Sequence, residues 1–276
     1  MPTMDSQRRG AAVCAAIELV DAMLNILILG GTSEARQLAG ELAGRASFKV
    51  TLSLAGRTAS PIAQPVQVRV RGFGGVDGLV KYLATQRVDV LVDATHPYAA
   101  TMAAHAADAS ASANIPILAL RRPPWKANAA DRWTEVDNVD DAVRALGTAP
   151  RRVFLTIGRQ EVRPFAAAPQ HRYLIRSVDP IQPPLDVPHA TYIVARGPFN
   201  DADERATITE YRIDRIVAKN SGGSATYGKI AAARALGITV IMLRRPALPA
   251  VASVETVQDA AAWLDHALVS DADRGV

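Results

Sequence analysis

Ten short runs of β-branched and aliphatic residues alternate with Ala-rich helical stretches along this chain. The first five cover 25–29, 50–54, 66–70, 88–93 and 115–120, and the second five cover 153–157, 173–177, 191–195, 215–219 and 239–243. Most are apolar without interruption. Such strands are buried on both faces, which parallel sheets covered by helices achieve and one-sided sheets do not. Residues 66–70 alternate polar and apolar instead, as expected nearer a sheet edge. Two groups of five strands predict an α/β protein of two Rossmann-like doubly wound parallel-sheet domains with an interdomain cleft. The expected boundaries are 23–147 and 148–270, with a tail at 271–276.

Residues 1–22 are read as an N-terminal extension outside the fold. Arg8 and Arg9 precede a short apolar stretch at 11–17, but Glu18 and Asp21 interrupt it and no cleavage signal follows. Met23 stands directly before the first strand and is a candidate start.

Composition narrows the function. The chain has 276 residues, 49% hydrophobic and 21% charged, the balance of a globular protein with a large core. The single cysteine, Cys14, rules out a disulfide framework within the chain and suits a reducing cytoplasm. No apolar run approaches the roughly 18 residues a membrane helix needs. The net charge is +4, spread without a Lys/Arg cluster, and aromatics are 5%. Neither duplex nor single-stranded nucleic acid is favoured by that pattern. An anionic small molecule is.

The two halves echo each other. The stretch after Asp89 and the stretch after Asp214 each read as strand, polar loop, Ala-rich helix, strand and then Leu-Arg-Arg-Pro. An acidic helix follows in each case, at 139–146 and 257–268. This pattern is that of two related halves. In open parallel sheets ligands bind outside the carboxyl ends of the strands, so the loops after equivalent strands would line the cleft from both sides.

Those loops carry the polar residues. Gly30-Gly31-Thr32-Ser33-Glu34-Ala35 follows the first strand and opens a helix, the place of a dinucleotide turn. Thr32 and Ala35 stand where that fingerprint has its second and third glycines, and Thr32 or Ser33 is also a helix-cap candidate. After the second strand there is no acid for a ribose hydroxyl. Arg57 stands there, with Thr58 and Ser60, and its fork suits a 2′-phosphate, which favours NADPH over NADH. The fourth strand ends in Asp93-Ala94-Thr95-His96-Pro97-Tyr98. His96 has no recognisable set of partner ligands, so no metal site is expected. The equivalent loop of the second half, Lys219-Asn220-Ser221-Gly222-Gly223-Ser224, reads either as an anion cradle or as an ordinary flexible turn. Arg159, Arg176 and Arg196 stand at three further strand ends, which collectively suits a substrate with several carboxylates.

Taken in order, ILILGGTSEARQLA (26–39), LAGRT (54–58), DATHPYA (93–99), RRPPW (121–125), IGRQE (157–161), ARGPF (195–199) and KNSGG (219–223) resemble the precorrin-6A reductase family of cobalamin biosynthesis. The resemblance spans nearly all of 23–268. It implies NADPH-dependent reduction of one carbon–carbon double bond in the precorrin-6A macrocycle to give precorrin-6B. It also implies a polycarboxylate tetrapyrrole as the small-molecule partner, and it allows transient contact with neighbouring pathway enzymes. On this basis Gly30, Gly31, Thr32, Ser33, Glu34, Arg57 and Thr95 are expected on the cofactor. Arg159, Arg176, Arg196, Lys219, Asn220, Ser221, Gly222 and Gly223 are expected on the substrate. His96, Tyr98 and Lys219 are the candidate catalytic groups, as proton donors or carboxylate anchors, and solvent is a fourth proton source. Glu34 is awkward there, since a carboxylate repels a pyrophosphate unless it turns away.

Three other readings stand beside this one. The cobalt-precorrin-6A reductase of the anaerobic route shares fold and bond, with NADH or NADPH. A non-catalytic NADP(H)-binding protein would need no second set of polar strand ends. A short-chain dehydrogenase needs a Tyr-x-x-x-Lys pair, and Tyr98, Tyr192 and Tyr227 are followed four residues later by Met102, Arg196 and Ala231.

Overall fold

The structure, a computed structural model, describes residues 23–56 and 62–272. The first half contains β1 (Leu24–Leu29), α1 (Ser33–Leu42), β2 (Phe48–Leu54), β3 (Gln67–Val70), α2 (Val76–Gln86), β4 (Val90–Asp93), α3 (Ala100–Ala113), β5 (Ile117–Leu120), β6 (Arg132–Val136) and α4 (Val139–Leu146). The second half opens with β7 (Arg152–Leu155) and two 3-10 turns, Arg159–Glu161 and Arg163–Ala167. It continues with β8 (Arg172–Ser177), β9 (Ala190–Val194), α5 (Asp201–Glu210), β10 (Arg215–Lys219), α6 (Gly228–Ala235), β11 (Thr239–Leu243), β12 (Ser253–Val254) and α7 (Val257–Ala272).

Every strand pairing is parallel, and the strands form two six-stranded sheets. One runs β12-β5-β4-β1-β2-β3 and the other β6-β11-β10-β7-β8-β9. From β5 to β3 and from β11 to β9 the two orders are topologically equivalent, and each is the doubly wound order with a switch point beside its first strand. The central strands are apolar on both faces because helices cover both. In the first domain α1 and α7 bury Leu38, Leu42 and Leu264 against one face, and α2 and α3 bury Leu79, Leu83 and Ala106 against the other. In the second, α4 and the 3-10 turns cover one face with Leu146 and Phe165, and α5 and α6 cover the other with Ile208 and Ile230.

The sixth strand of each sheet comes from the other half of the chain. After β5 the chain crosses over, adds β6 beside β11 and packs α4 on the second sheet. After β11 it crosses back, adds β12 beside β5 and packs α7 on the first sheet. The boundaries 23–147 and 148–270 therefore do not follow the sheets: residues 132–146 belong with the second and 253–268 with the first. Both crossings begin at the repeated Leu-Arg-Arg-Pro. The exchanged strands are hard to read because neither is an apolar run. β6 buries only Val136, and β12 has two residues. Arg45 and Asp265 form an ion pair that also ties α7 to the loop after α1.

Because Leu264 is fully buried against α1, Leu264→Ala is expected to cost about 2–5 kcal/mol in urea unfolding. Hydrogen exchange should accelerate in β1 and β5 first. Loss of protection confined to β7 and β10 would contradict the assignment of α7 to the first domain.

Candidate functional site

The site begins at the β1–α1 turn. Thr32 is buried and caps α1: its Oγ1 accepts from Ala35 N at 3.1 Å and donates to Ala94 O at 2.8 Å, which also joins the turn to the end of β4. Gly31 has φ +126° and open space where a Cβ would project, so the backbone is bare at the helix N-terminus. The first-turn N–H groups of Ser33 and Glu34 have no acceptor within the helix. A bare turn with outward N–H groups at a positive dipole end fits a pyrophosphate. Glu34 does not oppose that fit. Its carboxylate accepts from Ser33 Oγ at 3.0 Å and pairs with Arg122, on the crossover after β5. Gly30 precedes this turn, and its N–H donates to Ser53 O of β2 at 2.9 Å. Arg57 lies outside the described residues.

The loops after β4 and β10, equivalent in topology, meet each other. Thr95 is turned onto Asp93, donating from N at 3.1 Å and from Oγ1 at 2.7 Å. His96 Nε2 lies 3.2 Å from Ser221 Oγ, and Nδ1 accepts from Tyr98 N at 3.3 Å. With Nδ1 accepting, the ring proton sits on Nε2 and points at Ser221. Burial drives the His96 pKa down to about 3, and Arg122, Lys219, Arg245 and Lys229 push it the same way. His96 is therefore a neutral imidazole at any working pH. The Tyr98 hydroxyl donates to Leu243 O and accepts from Asn220 N at 2.7 Å. Burial raises its pKa to about 12. Its proton is committed to a backbone carbonyl of the other domain, so the geometry makes Tyr98 a bolt across the joint.

Lys219, at the end of β10, pairs with Glu161 and lies 5.0 Å over the Tyr98 ring. Glu161 is held in turn by Gly158 N at 3.0 Å. Asn220 is buried: its side-chain amide accepts from Trp125 N at 2.8 Å and donates to Trp125 O at 2.9 Å. Ser221 O accepts from Arg122 Nε at 2.6 Å. Gly222 has φ +69°, and a Cβ there would strike Pro123 O and Arg245. Gly223 O accepts from Trp125 Nε1 at 2.8 Å. This loop is packed against the crossover, which accounts for its glycines without an open cradle.

Of the arginines expected on the substrate, Arg159 is exposed on the first 3-10 turn and Arg196 is exposed after β9. Arg176 is not available. It is buried in an ion pair with Glu204 at 2.6 Å, with Phe199 3.7 Å and Phe154 4.9 Å from its guanidinium. A strand-end arginine facing a buried acid on the next helix is a core pair, and the one-dimensional pattern does not distinguish the two uses. Lys229 is also buried, donating to Thr226 O at 2.7 Å beneath the Trp125 ring, and burial lowers its pKa to about 7. Sequence reasoning missed Arg122, Arg245 and Glu161. The repeated Leu-Arg-Arg-Pro marked both arginines, but as a sign of duplication and not as a joint.

Removing the Tyr98 hydroxyl leaves Asn220 N and Leu243 O without their bridge. Tyr98→Phe is expected to lower stability by about 1–3 kcal/mol in denaturant titration. A variant as stable as wild type would remove the bolt. His96 makes a separate prediction. Its folded pKa of about 3 lies below the ordinary 6.5, so the unfolded chain binds the proton better. That contribution to stability is intact above pH 6.5 and is lost progressively as pH falls toward 3. His96→Gln should therefore gain stability relative to wild type between about pH 7 and pH 4. A pH-independent difference would contradict the buried neutral ring.

Residues 25–265 match the family model for precorrin-6x reductase CbiJ/CobK. A precorrin-6A reductase of a Sinorhizobium species is 56% identical over 243 residues, covering 87% of this chain and 93% of that protein. A cobalt-precorrin-6A reductase of Priestia megaterium is 28% identical over 256 residues, covering 89% and 98%. The solved structure of a CobK precorrin-6A reductase superposes with a TM-score of 0.85 at 47% identity, covering 89% of this chain and 97% of that one.

Proposed function

The chain belongs to the precorrin-6x reductase family, and we propose that it reduces one carbon–carbon double bond of precorrin-6A to give precorrin-6B, with NADPH as the reductant. The observation that carries this reading is 56% identity over nearly the whole chain to a relative named for metal-free precorrin-6A, against 28% to one named for the cobalt form. A nicotinamide cofactor suits the family, and Arg57 favours NADPH among the two.

Bound at the β1–α1 turn, the cofactor supplies a hydride; the remaining work is alignment and one proton. Gly31, Ser33 and Glu34 offer backbone N–H groups to the pyrophosphate, and Arg57 takes the 2′-phosphate. Thr95 and His96 line the same strand ends beside β1. Of the three candidate proton carriers, the neutral ring of His96 has its proton directed at Ser221 Oγ and the Tyr98 hydroxyl is committed to Leu243 O. Lys219 carries an ammonium, held by Glu161 and bearing three protons, and is the group we assign to protonation of the neighbouring carbon. Glu161 is its positioning residue.

Absorbance at the NADPH band, followed with metal-free and with cobalt-bearing precorrin-6A, tests the reaction. Turnover of the metal-free ring is expected, and turnover of the cobalt ring alone moves the protein to the anaerobic route. Arg57→Ala should weaken NADPH at least tenfold and leave NADH within twofold, as expected for loss of a charge-assisted contact. Equal losses for both would remove the 2′-phosphate role. Lys219→Met should lower kcat about a hundredfold with unchanged NADPH affinity. A comparable loss of NADPH affinity would put that loop on the cofactor instead.

A further inference from the structure

The second sheet carries a pocket at the amino ends of its strands, opposite the end that bears the loop after β10. Its volume is about 280 Å³, and Arg152, Arg172, His189, Thr191 and Tyr211 line it. Arg152 and Arg172 are register partners on the parallel strands β7 and β8. Their side chains therefore leave the same face of the sheet, from strands about 4.8 Å apart. The register of β8 and β9 pairs Tyr173 with Ala190, which puts His189 in line with Arg172. Three basic side chains thus stand in one row, on the face where Phe154 and Leu174 pack against α5 and α6.

That row is unfavourable as it stands, because like charges directly opposite on neighbouring strands destabilise a sheet. Both guanidinium groups are exposed, and neither has a hydrogen bond or ion pair among the described residues. Asp214, just before β10, does not neutralise them: its Oδ2 accepts from the backbone N–H of Arg152 at 3.2 Å. Elsewhere in this chain arginines close to acids do pair, as Arg176 does with Glu204 and Arg234 with Asp131. Arg151, Arg212 and Arg215 stand at the same end of the sheet and add to its positive potential. The carboxyl end of α5 also arrives here, at Tyr211, and its dipole does not attract an anion. The attraction of this pocket for an anion comes from its arginines alone.

We propose that this pocket is a second anion site, which takes a phosphoryl group, either as inorganic phosphate or at the end of a small phosphate monoester. A carboxylate offers two oxygens, which one guanidinium fork saturates. A phosphoryl group offers three oxygens and about two charges, enough for both forks and for His189 or the Tyr211 hydroxyl. The volume falls just below the roughly 300–1,000 Å³ of pockets for drug-sized ligands, so the ligand is small. The site is separate from the β1–α1 turn and from the loops after β4 and β10, and it does not depend on the reduction of precorrin-6A.

The test is isothermal titration calorimetry of the full-length protein with inorganic phosphate, glycerol 3-phosphate and succinate, at constant ionic strength and with NADPH saturating. Phosphate or its monoester is expected to bind with a Kd of about 1 mM or tighter, and succinate at least tenfold more weakly. Tighter binding of the monoester assigns the site to an esterified ligand, and tighter binding of phosphate assigns it to the free ion. Arg152→Gln/Arg172→Gln should weaken both phosphoryl ligands at least tenfold. Relieved of its like charges, this variant should melt no lower than wild type without phosphate, and it should lose the rise in Tm that about 20 mM phosphate gives the wild type. Arg172→Lys keeps the charge without the fork and should weaken phosphate about threefold. Arg144→Gln/Arg205→Gln removes two exposed arginines from α4 and α5 and should leave binding within twofold. Equal weakening by both double variants reduces the effect to overall charge and overturns the site. Succinate binding as tight as phosphate overturns the ligand class. Absence of phosphoryl binding by the wild type, or binding unchanged in the Arg152/Arg172 variant, overturns the proposal outright.

Discussion

One guanidinium group holds the two crossings of the chain together. Arg245, on the second crossover, donates to Asn220 O at 2.8 Å, Arg122 O at 2.9 Å, Ser221 O at 3.1 Å and Pro123 O at 3.2 Å. Those carbonyls belong to the loop after β10 and to the first crossover. Arg122 adds a bond to Ser221 O and an ion pair with Glu34 at the start of α1. Each crossover delivers an edge strand and a helix to the opposite sheet, so neither sheet is complete without the other half of the chain. The loops after β4 and β10 are fastened at this same point. Asn220 and Ser221 are both held by the arginines and in contact with Tyr98 and His96.

The two domains share a strand order but differ at their switch points. Both switch points lie outside strand ends that face the joint. The first keeps a bare glycine turn and a capped helix, the chemistry of a phosphate site. The second has two 3-10 turns there instead of a helix, Arg159–Glu161 and Arg163–Ala167. Between them stand Lys219 and Glu161, tied to the Tyr98 ring. The cations around this point, which depress His96, also raise the potential that an anionic cofactor and an anionic substrate meet.

Much of this was legible in one dimension, and the parts that were not have physical reasons. The eight internal strands read clearly because burial on both faces requires continuous apolar runs, and the edge strands β3 and β9 read from their β-branched residues. β6 and β12 did not, because edge strands bury little: Val136 alone in one, and two residues in the other. The repeated Leu-Arg-Arg-Pro announced two related halves, yet whether the following helix packs at home or across is a tertiary matter. Thr32 was legible as a cap and Glu34 as a residue that must turn away, though its partner Arg122 lies 88 positions distant. Tyr98 read as a possible acid because a hydroxyl at a strand end looks the same whether it faces ligand or backbone. Arg176 and Arg159 are indistinguishable by position, and only Glu204 separates them.

The most direct test of the whole account is the fate of isotope in a single turnover. NADPH deuterated at the transferable C4 position is mixed with the enzyme and metal-free precorrin-6A in ordinary water, and the product is weighed by mass spectrometry. A product carrying one deuterium from the cofactor and one proton from solvent-exchangeable groups is the predicted result. A product without deuterium, or NADPH bound tightly with no reduction of the macrocycle, would contradict it.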